Sequence, residues 1–302
     1  MTDLALAHDD LRPLMFSIAY RMLGSVAEAE DVVQDAFLRM HKATAAGATI
    51  ETPDAFATTV TTRVAIDALR SAQARRETYI GPWLPEPILD DDPAHRVELD
   101  ETVSIAFLVV LERLSPVERA VFLLREVFGY AYPEIAAVVE KSEANCRQLL
   151  VRAKRHLESE GPRFATAERR DEIAAQFFAA LRTGDLAALE RVLVDDITFY
   201  GDGGGKAPAI RRPLAGLVAV ARFLRGLGRQ AERLSAGVRE AQVNGQPGAV
   251  LTDRNGDLIG VLALDIAEDG VRAIRNQINP DKLQHLGTVG DINSLTGGDP
   301  AP

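Results

Sequence analysis

The side chains best suited to binding nucleic acid are concentrated in one short segment near the middle of the chain. Between Lys141 and Arg155, five Lys or Arg residues accompany a single acid, Glu143, so this stretch carries a net charge of +4. Cations contact phosphates, whereas Asn, Gln and Arg can read base edges in the major groove. A solvated basic face in an all-α domain would give the same pattern. The candidate DNA contacts are Ser142, Asn145, Arg147, Gln148, Arg152 and Arg155.

A second basic track lies earlier in the chain. Residues Arg63–Arg76 contain four arginines and one acid, Asp67, a net charge of +3 that would serve a row of phosphate contacts. Asp67 stands four residues after Arg63 and three before Arg70, the spacings of neighbouring side chains on a helix. We therefore interpret Asp67 as a structural bridge between these two arginines.

Both tracks are exceptions in an acidic chain. The 302 residues include 34 Lys and Arg against 44 Asp and Glu, a formal net charge of −10, which taken alone argues against nucleic acid as a partner. DNA, however, contacts only a local surface, so its binding depends on the charge of that surface rather than on the net charge of the whole chain. The acids are concentrated elsewhere: seven against three cations in residues 1–40, and seven against Arg96 in Glu86–Glu101.

Composition excludes several other classes of protein. The single cysteine, Cys146, allows neither an intrachain disulfide nor a Cys-rich zinc site, fits a reducing cytoplasm, and is predicted to be a small core residue. No apolar run approaches the roughly 20 residues needed to cross a bilayer, and residues 1–8 carry no signal-peptide pattern. We expect no metal and no cofactor.

The elements that position the two tracks are predicted to be helices, because apolar residues recur every three or four positions through most of the first half. Ser115-Pro116-Val117-Glu118 is a typical helix start, with a capping Ser, a first-turn Pro and a capping-box Glu. This helix is expected to stop at Gly129. A short helix over 132–139, a turn over 140–142 and a longer helix over 143–157 complete a predicted helix-turn-helix.

The second half is predicted to be α+β. Helical patterns over 167–182 and 186–193 precede a series of strand-like runs with one helix, Gly216–Leu227, among them. Asn-Gly pairs at Asn244-Gly245 and Asn255-Gly256 favour tight hairpins. Between the halves, the three prolines of Ile80–Asp92 predict a linker, and the tail from Gly287 is predicted to be disordered. The expected strands are Ile197–Tyr200, Ala209–Arg212, Ser235–Val243, Ala249–Thr252, Leu258–Ile266 and Val271–Ile278.

The segment Ala29-Glu30-Asp31-Val32-Val33-Gln34-Asp35-Ala36-Phe37-Leu38-Arg39 resembles the helix by which bacterial extracytoplasmic-function (ECF) sigma factors grip RNA polymerase. A helix from Thr52-Pro53-Asp54-Ala55-Phe56 to Arg70, and a helix-turn-helix opened by Leu114–Arg119, follow in the order of that family. The resemblance implies two all-α domains, region 2 at residues 1–78 and region 4 at residues 102–161, joined by a linker at 79–101.

The resemblance also implies roles for particular residues. Asp31, Gln34, Phe37 and Leu38 would dock on the coiled coil of the largest polymerase subunit, and region 4 would lie at the polymerase flap and read the −35 promoter element. Tight DNA binding is then expected only together with polymerase. The implied contacts to the −10 element are Thr52, Arg63, Arg70, Arg75 and Arg76.

Residues 165–286 resemble the SnoaL-like cone of the nuclear-transport-factor-2 superfamily, in which helices pack on a curved sheet. Three motifs match the SigJ-like subgroup of ECF sigma factors, where this extension acts in cis in place of a separate anti-sigma protein, so no such protein is expected. We expect the first motif to dock near the third. The motif residues are Trp83, Leu84, Pro85, Glu86 and Pro87; Asp202, Gly203, Gly204, Gly205 and Lys206; and Asn279, Pro280, Asp281, Lys282 and Leu283.

Other functions compete with this interpretation. Asp202–Lys206 offers glycines and a lysine as a phosphate loop does, but it lacks the Walker spacing, so a turn or a regulatory contact is favoured. Acid–base catalysis in the cone would need a paired acid and base; the strand-end acids Asp195, Asp196, Asp202 and Asp265 are expected to be solvated, and His285 lies beyond the last strand. A regulatory domain, open to an unknown small ligand, is therefore predicted. The alternatives are a one-component DNA-binding regulator and a cone-fold enzyme fused to a DNA-binding module.

Overall fold

The computed structural model describes residues 8–90, 101–158, 164–233 and 235–292. They belong to two compact units. Of the described residues, the N-terminal unit contains 8–78, 101–103 and 107–158, and the C-terminal unit contains 79–90, 104–106, 164–233 and 235–292. The predicted linker at 79–101 is therefore not one element: its described first part, residues 79–90, belongs to the C-terminal unit, and residues 91–100 lie outside the described part of the chain.

Three long helices open the N-terminal unit: α1 (His8–Leu23), α2 (Val26–Ala45) and α3 (Pro53–Arg76). Ser25 caps α2 by accepting a hydrogen bond of 3.1 Å from the backbone N–H of Glu28, and a proline occupies the first turn of α3. The apolar repeat read from the sequence faces a shared core, in which Met15, Ile18, Val33, Met40 and Leu69 are buried.

The helices α4 (Ile105–Leu111), α5 (Pro116–Phe122), α6 (Tyr132–Val139) and α7 (Glu143–Glu158) follow. The predicted capping box is confirmed, since Ser115 and Glu118 exchange side-chain and backbone hydrogen bonds. The helix opened there changes to one π-helical turn at Leu123–Val127 before Gly129, rather than staying α-helical. Glu140 ends α6 in the left-handed conformation, with φ of 54°, and the predicted helix-turn-helix is confirmed.

The C-terminal unit packs α8 (Ala167–Thr183), α9 (Leu186–Val192) and α10 (Leu217–Arg233) on one six-stranded sheet. Its strands run in the order β2-β1-β6-β5-β4-β3, and only the β1–β6 pair is parallel. Phe177, Phe199, Leu224, Leu264 and Ile274 are among the buried side chains between helices and sheet. The strands are β1 (Leu193–Asp202), β2 (Leu214–Ala215), β3 (Gly237–Val243), β4 (Gln246–Thr252), β5 (Leu258–Ala267) and β6 (Gly270–Gln277).

The fold departs from the sequence-based expectations at two further places. No strand forms over residues 209–212; β1 pairs instead with the two-residue β2, which directly precedes α10. The disorder predicted from Gly287 is wrong for the residues that follow it at once, because the backbone of Leu258 bonds to Thr288 and Gly290 at 2.9 and 2.8 Å. Residues 293–302 lie outside the described part of the chain.

Candidate functional site

A buried carboxylate at the end of β1 organises a polar cluster of the C-terminal unit. Asp202 is 0 % exposed, and its oxygens accept hydrogen bonds from Lys282 Nζ (2.7 Å), the backbone N–H of Leu84 (2.8 Å) and Gln277 Nε2 (3.2 Å). The Tyr79 hydroxyl and the backbone N–H of Gly204 donate as well. These donors satisfy the hydrogen-bonding capacity of the buried carboxylate, which would otherwise be costly to bury.

Lys282 pairs with the buried carboxylate and also binds the backbone of the segment around Leu84, which passes over the cluster. Its ammonium donates to the carbonyl of Leu84 at 2.6 Å and lies over the rings of Trp83 and Tyr79, 4.4 and 4.8 Å from their centroids. Burial, followed by the negative charge of Asp202, raises the pKa of Tyr79 above its ordinary value, so the hydroxyl stays protonated and can donate. The cluster thus joins one cation, one anion and two aromatic rings.

We call residues Tyr79–Asp90 the strap, because they run as an extended segment along the C-terminal unit. Ile88 exchanges two hydrogen bonds with Asn244, through N–H to Oδ1 at 2.9 Å and carbonyl to N–H at 2.8 Å. His285 Nε2 lies 2.8 Å from the carbonyl of Pro87. Leu84 and Ile88 are 1 % and 2 % exposed, so the strap is held by apolar burial as well as by its hydrogen bonds.

The structure brings the three predicted motifs together at this cluster. Asn279–Leu283 begins with a short 3-10 turn, and the Asn279 amide donates to the Tyr79 hydroxyl at 2.9 Å. Lys206 and Asp281 form an exposed ion pair. The glycine run is not an open turn: at Gly204, with φ of +58°, a Cβ would lie 2.2 Å from Asn279 Nδ2. Trp83 is half-buried, and the buried motif residues are Leu84, Pro85, Glu86, Pro87, Asp202, Gly203, Asn279, Lys282 and Leu283.

Four contributors to the cluster and strap were not identified from the sequence: Tyr79, Asn244, Gln277 and His285. Asn244 was noted only as the first residue of an Asn-Gly turn, yet it is 0 % exposed. The expectation of solvated strand-end acids is wrong for Asp202 and for Asp265, whose carboxylate accepts from Arg275 at 2.8 Å and whose pKa is raised by burial. Asp195 and Asp196 are exposed as expected.

In the N-terminal unit, three of the four residues implied to dock on polymerase line one groove between α1 and α2. The groove has a volume of about 600 Å³, and Gln34, Phe37 and Leu38 line it together with His8, which stacks on the Phe37 ring at 4.2 Å. Leu38 is 58 % exposed, and Asp31 is also exposed on α2. A groove whose apolar side chains are rimmed by polar groups is typical of a protein-binding surface.

The arginines of the predicted −10 track do not form one exposed row. Arg70 pairs with Asp67 at 2.7 Å, Arg75 with Glu28, and Arg76 is largely buried. Asp67 is thus a bridge to Arg70 as predicted, but Arg63 has other partners. Thr52, exposed, is the N-cap residue of α3 and makes no side-chain capping bond.

Arg63 instead binds the end of α6. Its guanidinium donates to the carbonyls of Val138 (3.0 Å) and Ala137 (2.8 Å) and lies 3.2 Å from the Glu140 carboxylate. Carbonyls in the last turn of a helix lack helical partners, and a cation there is favourable. The helix α3 therefore packs directly against α6, and also against α5.

A largely buried charge network joins α3, α5 and the end of α1. The Glu112 carboxylate accepts from Arg119 Nη2 at 2.7 Å and also from Arg76. Both arginines also reach the C-terminal end of α1, at the carbonyls of Met22 (2.8 Å) and Leu23 (2.5 Å). Burial lowers the pKa of Arg119, which is 1 % exposed, although a guanidinium stays charged at neutral pH.

The candidate −35 contacts lie on α7, except for Ser142, which directly precedes it. Ser142 accepts from the backbone N–H of Asn145 at 3.2 Å at the helix start. Asn145, Gln148 and Arg155 are exposed. Arg147 forms an ion pair with Glu143 at 2.9 Å and lies over the Tyr132 ring, so Glu143 contacts another side chain of its own helix. Arg152 is 3.5 Å from Glu118. Cys146 is buried as predicted.

Comparison with known families agrees with this architecture. The family models for Sigma-70 region 2, Sigma-70 region 4 and the SnoaL-like domain match residues 8–75, 104–157 and 174–275. Among the helices that the structure describes, none is long and apolar enough to span a membrane.

Two relatives come from Mycobacterium tuberculosis. The chain is 38 % identical to the ECF RNA polymerase sigma factor SigJ over 288 residues, which cover 90 % of this chain and 91 % of the relative. It is 34 % identical to the probable ECF sigma factor SigI, over 91 % of this chain and 93 % of that one. The crystal structure of SigJ superposes with a TM-score of 0.75 at 33 % identity, covering 93 % of this chain and 98 % of that chain. The chain belongs to the family of ECF RNA polymerase sigma factors, and it carries a SnoaL-like domain after region 4.

Proposed function

We propose that this sigma factor binds core RNA polymerase through the α1–α2 groove and reads promoter DNA through α3 and α7, while its SnoaL-like domain regulates it in cis through the strap. The strap is the observation that carries the regulatory part. It leads directly from the end of α3 into the C-terminal unit, where the buried cluster of Asp202, Lys282 and Tyr79 holds it. Any event that loosens the cluster therefore acts on the chain between the two DNA-binding regions.

The contact between α3 and α6 supports a closed form of the N-terminal unit. Elements centred 10 and 35 base pairs upstream of transcription are separated by about 25 base pairs, or roughly 85 Å of B-form DNA. Helices that touch cannot reach both elements. Binding both elements thus requires Arg63 to leave the carbonyls of Ala137 and Val138, and the same guanidinium then becomes available for DNA.

A catalytic role for the C-terminal domain has little support in its chemistry. Asp265 lies between Leu264 and Ile266, both in the core cluster, so strand alternation directs it away from the face covered by helices, toward its partner Arg275. The carboxylate of Asp202 is occupied by donors that hold the strap and by Lys282. We propose a non-enzymatic regulator, without need of a separate anti-sigma protein, acting in the cytoplasm where polymerase works.

Run-off transcription tests this function. Core polymerase with the full chain is expected to initiate on genomic fragments that core alone does not transcribe, and Asp202→Asn, which removes the charge that Lys282 needs, is expected to change the yield. A matched control is Asp281→Asn, which breaks only the exposed pair with Lys206. Failure of the chain to bind core would overturn the sigma assignment of these surfaces, and an Asp202→Asn yield equal to wild type would overturn regulation through the strap.

A further inference from the structure

One large apolar side chain, that of Val151, lies in the middle of the basic face of α7. Ala144, Gln148, Val151 and Arg155 follow one another at spacings of four, three and four residues, and therefore share one side of the helix. All four are exposed, opposite the buried stripe that includes Cys146 and Leu150. Val151 is 56 % exposed, although the residues beside it are polar or charged.

The surroundings of Val151 form a shallow groove rather than a flat surface. The groove has a volume of about 400 Å³ and is lined by Arg147, Gln148, Val151 and Arg152. The two guanidiniums are held by side chains of the protein, Arg147 by Glu143 and the Tyr132 ring, and Arg152 by Glu118. Between them, the groups presented outward are the amide of Gln148 and the methyl groups of Val151.

These two side chains differ in what they can recognise. A Gln amide matches the N6 and N7 atoms of adenine, whereas an apolar group in the major groove matches the 5-methyl group of thymine. Residues three apart on a helix rise by about 4.5 Å, close to the roughly 3.4 Å step between base pairs. Gln148 and Val151 can therefore address neighbouring base pairs.

We propose that Val151 is a specificity-determining residue that reads the 5-methyl group of one thymine in the −35 element, next to an adenine read by Gln148. This inference rests on the proposed placement of α7 in the major groove. It identifies two neighbouring A·T base pairs for which the groove selects, and it assigns the selection at the thymine to a contact with its methyl group rather than to a charge.

The test removes single methyl groups from the DNA. On a promoter that the holoenzyme transcribes, each thymine of the −35 element is replaced in turn by deoxyuridine, which lacks only the methyl group, and holoenzyme binding is measured. One position is expected to weaken binding by about fourfold, the effect of one buried methyl-sized group. With Val151→Ala that position becomes insensitive, while Val218→Ala, at an exposed valine of α10, keeps the sensitivity.

The outcomes separate the inference from the function on which it rests. If the holoenzyme protects the −35 element and Gln148→Ala weakens binding, yet no deoxyuridine substitution does, the assignment of Val151 is overturned while α7 keeps its role. The same holds if Val151→Ala stays sensitive at the critical thymine. If neither Gln148→Ala nor Arg155→Ala changes binding to the −35 element, the placement of α7 fails, and the inference with it.

Discussion

The ion pair of Lys282 and Asp202 differs from that of Lys206 and Asp281 chiefly in burial. The side chains of the first pair are 9 % and 0 % exposed, and those of the second 57 % and 51 %. Removing one member of a buried pair leaves an uncompensated charge in a medium of low polarity, whereas water replaces the lost member of an exposed pair. Lys282 is therefore expected to contribute much more than Lys206 to the stability of the C-terminal unit, although both lie close to the same glycine-rich turn.

We predict that Lys282→Met lowers the free energy of unfolding of the C-terminal unit by about 3–5 kcal/mol, while Lys206→Met changes it by less than about 1 kcal/mol. Chemical denaturation of the full chain, followed by circular dichroism, measures both. Adding Asp202→Asn to Lys282→Met should restore part of the loss, because the orphaned charge is then gone. Equal effects of the two lysine substitutions would contradict the assigned burial.

At the scale of elements, the start of the strap packs closely on a glycine, Gly204. Gly204 and Gly256 both have positive φ, at +58° and +88°, but only at Gly204 would a Cβ meet neighbours, Asn279 at 2.2 Å and Tyr79 at 2.9 Å. Those neighbours hold the start of the strap.

Gly204→Ala is therefore expected to release the strap, and Gly256→Ala to cost only the backbone strain of about 1–2 kcal/mol. Hydrogen exchange of the Leu84 and Ile88 amides, which donate to Asp202 and Asn244, reports release directly. Faster exchange in Gly204→Ala alone is the expected result. Protection retained in both variants would show that the glycine run does not control the strap.

The elements that the sequence predicted well are those specified by neighbours along the chain. The Ser115 capping box, the helix-turn-helix and the Asn244-Gly245 hairpin each depend on residues a few positions apart, and all three are found. The run Ala209–Arg212 had the composition of a strand, but β1 pairs with residues 214 and 215 instead. The pattern of apolar residues in a short segment does not determine which of two adjacent segments pairs with the edge strand of the sheet.

The cluster was only partly predictable for a related reason. Its motifs could be named through a family resemblance, but Tyr79, Gln277 and His285 lie outside those motifs and contact them from positions distant in the sequence. Solvated acids were the default expectation for Asp202 and Asp265. These two acids are buried because each is paired with a cation from a different part of the chain, Asp202 with Lys282 and Asp265 with Arg275. A pattern of neighbouring residues does not reveal such a partner.

At the scale of the whole molecule, the closed N-terminal unit predicts a large rearrangement on assembly. Fluorescent labels placed at Ser71 of α3 and Lys141 beside α7, both exposed, should move apart by tens of ångströms when core polymerase and promoter DNA bind, because the two promoter elements are roughly 85 Å apart. Energy transfer between the labels measures this in a Cys146→Ala background.

Glu140→Gln offers a variant of that experiment. It weakens the hold of α6 on Arg63 without changing the backbone, and is expected to raise the fraction of open molecules before core is added. Glu143→Gln, which affects only a pair within α7, is the control. Label separation that stays the same with and without core would contradict a closed resting form.

The contact between Lys282 and the Trp83 ring also allows the state of the strap to be followed by the intrinsic fluorescence of the protein. Trp83 is the single tryptophan of the chain, and an ammonium lies 4.4 Å from its ring centroid. Emission excited at the red edge of protein absorbance therefore comes from one indole, and its wavelength and intensity depend on that nearby charge. Whatever signal frees the strap in the cell would register as a spectral change, so candidate effectors can be screened on the unlabelled protein.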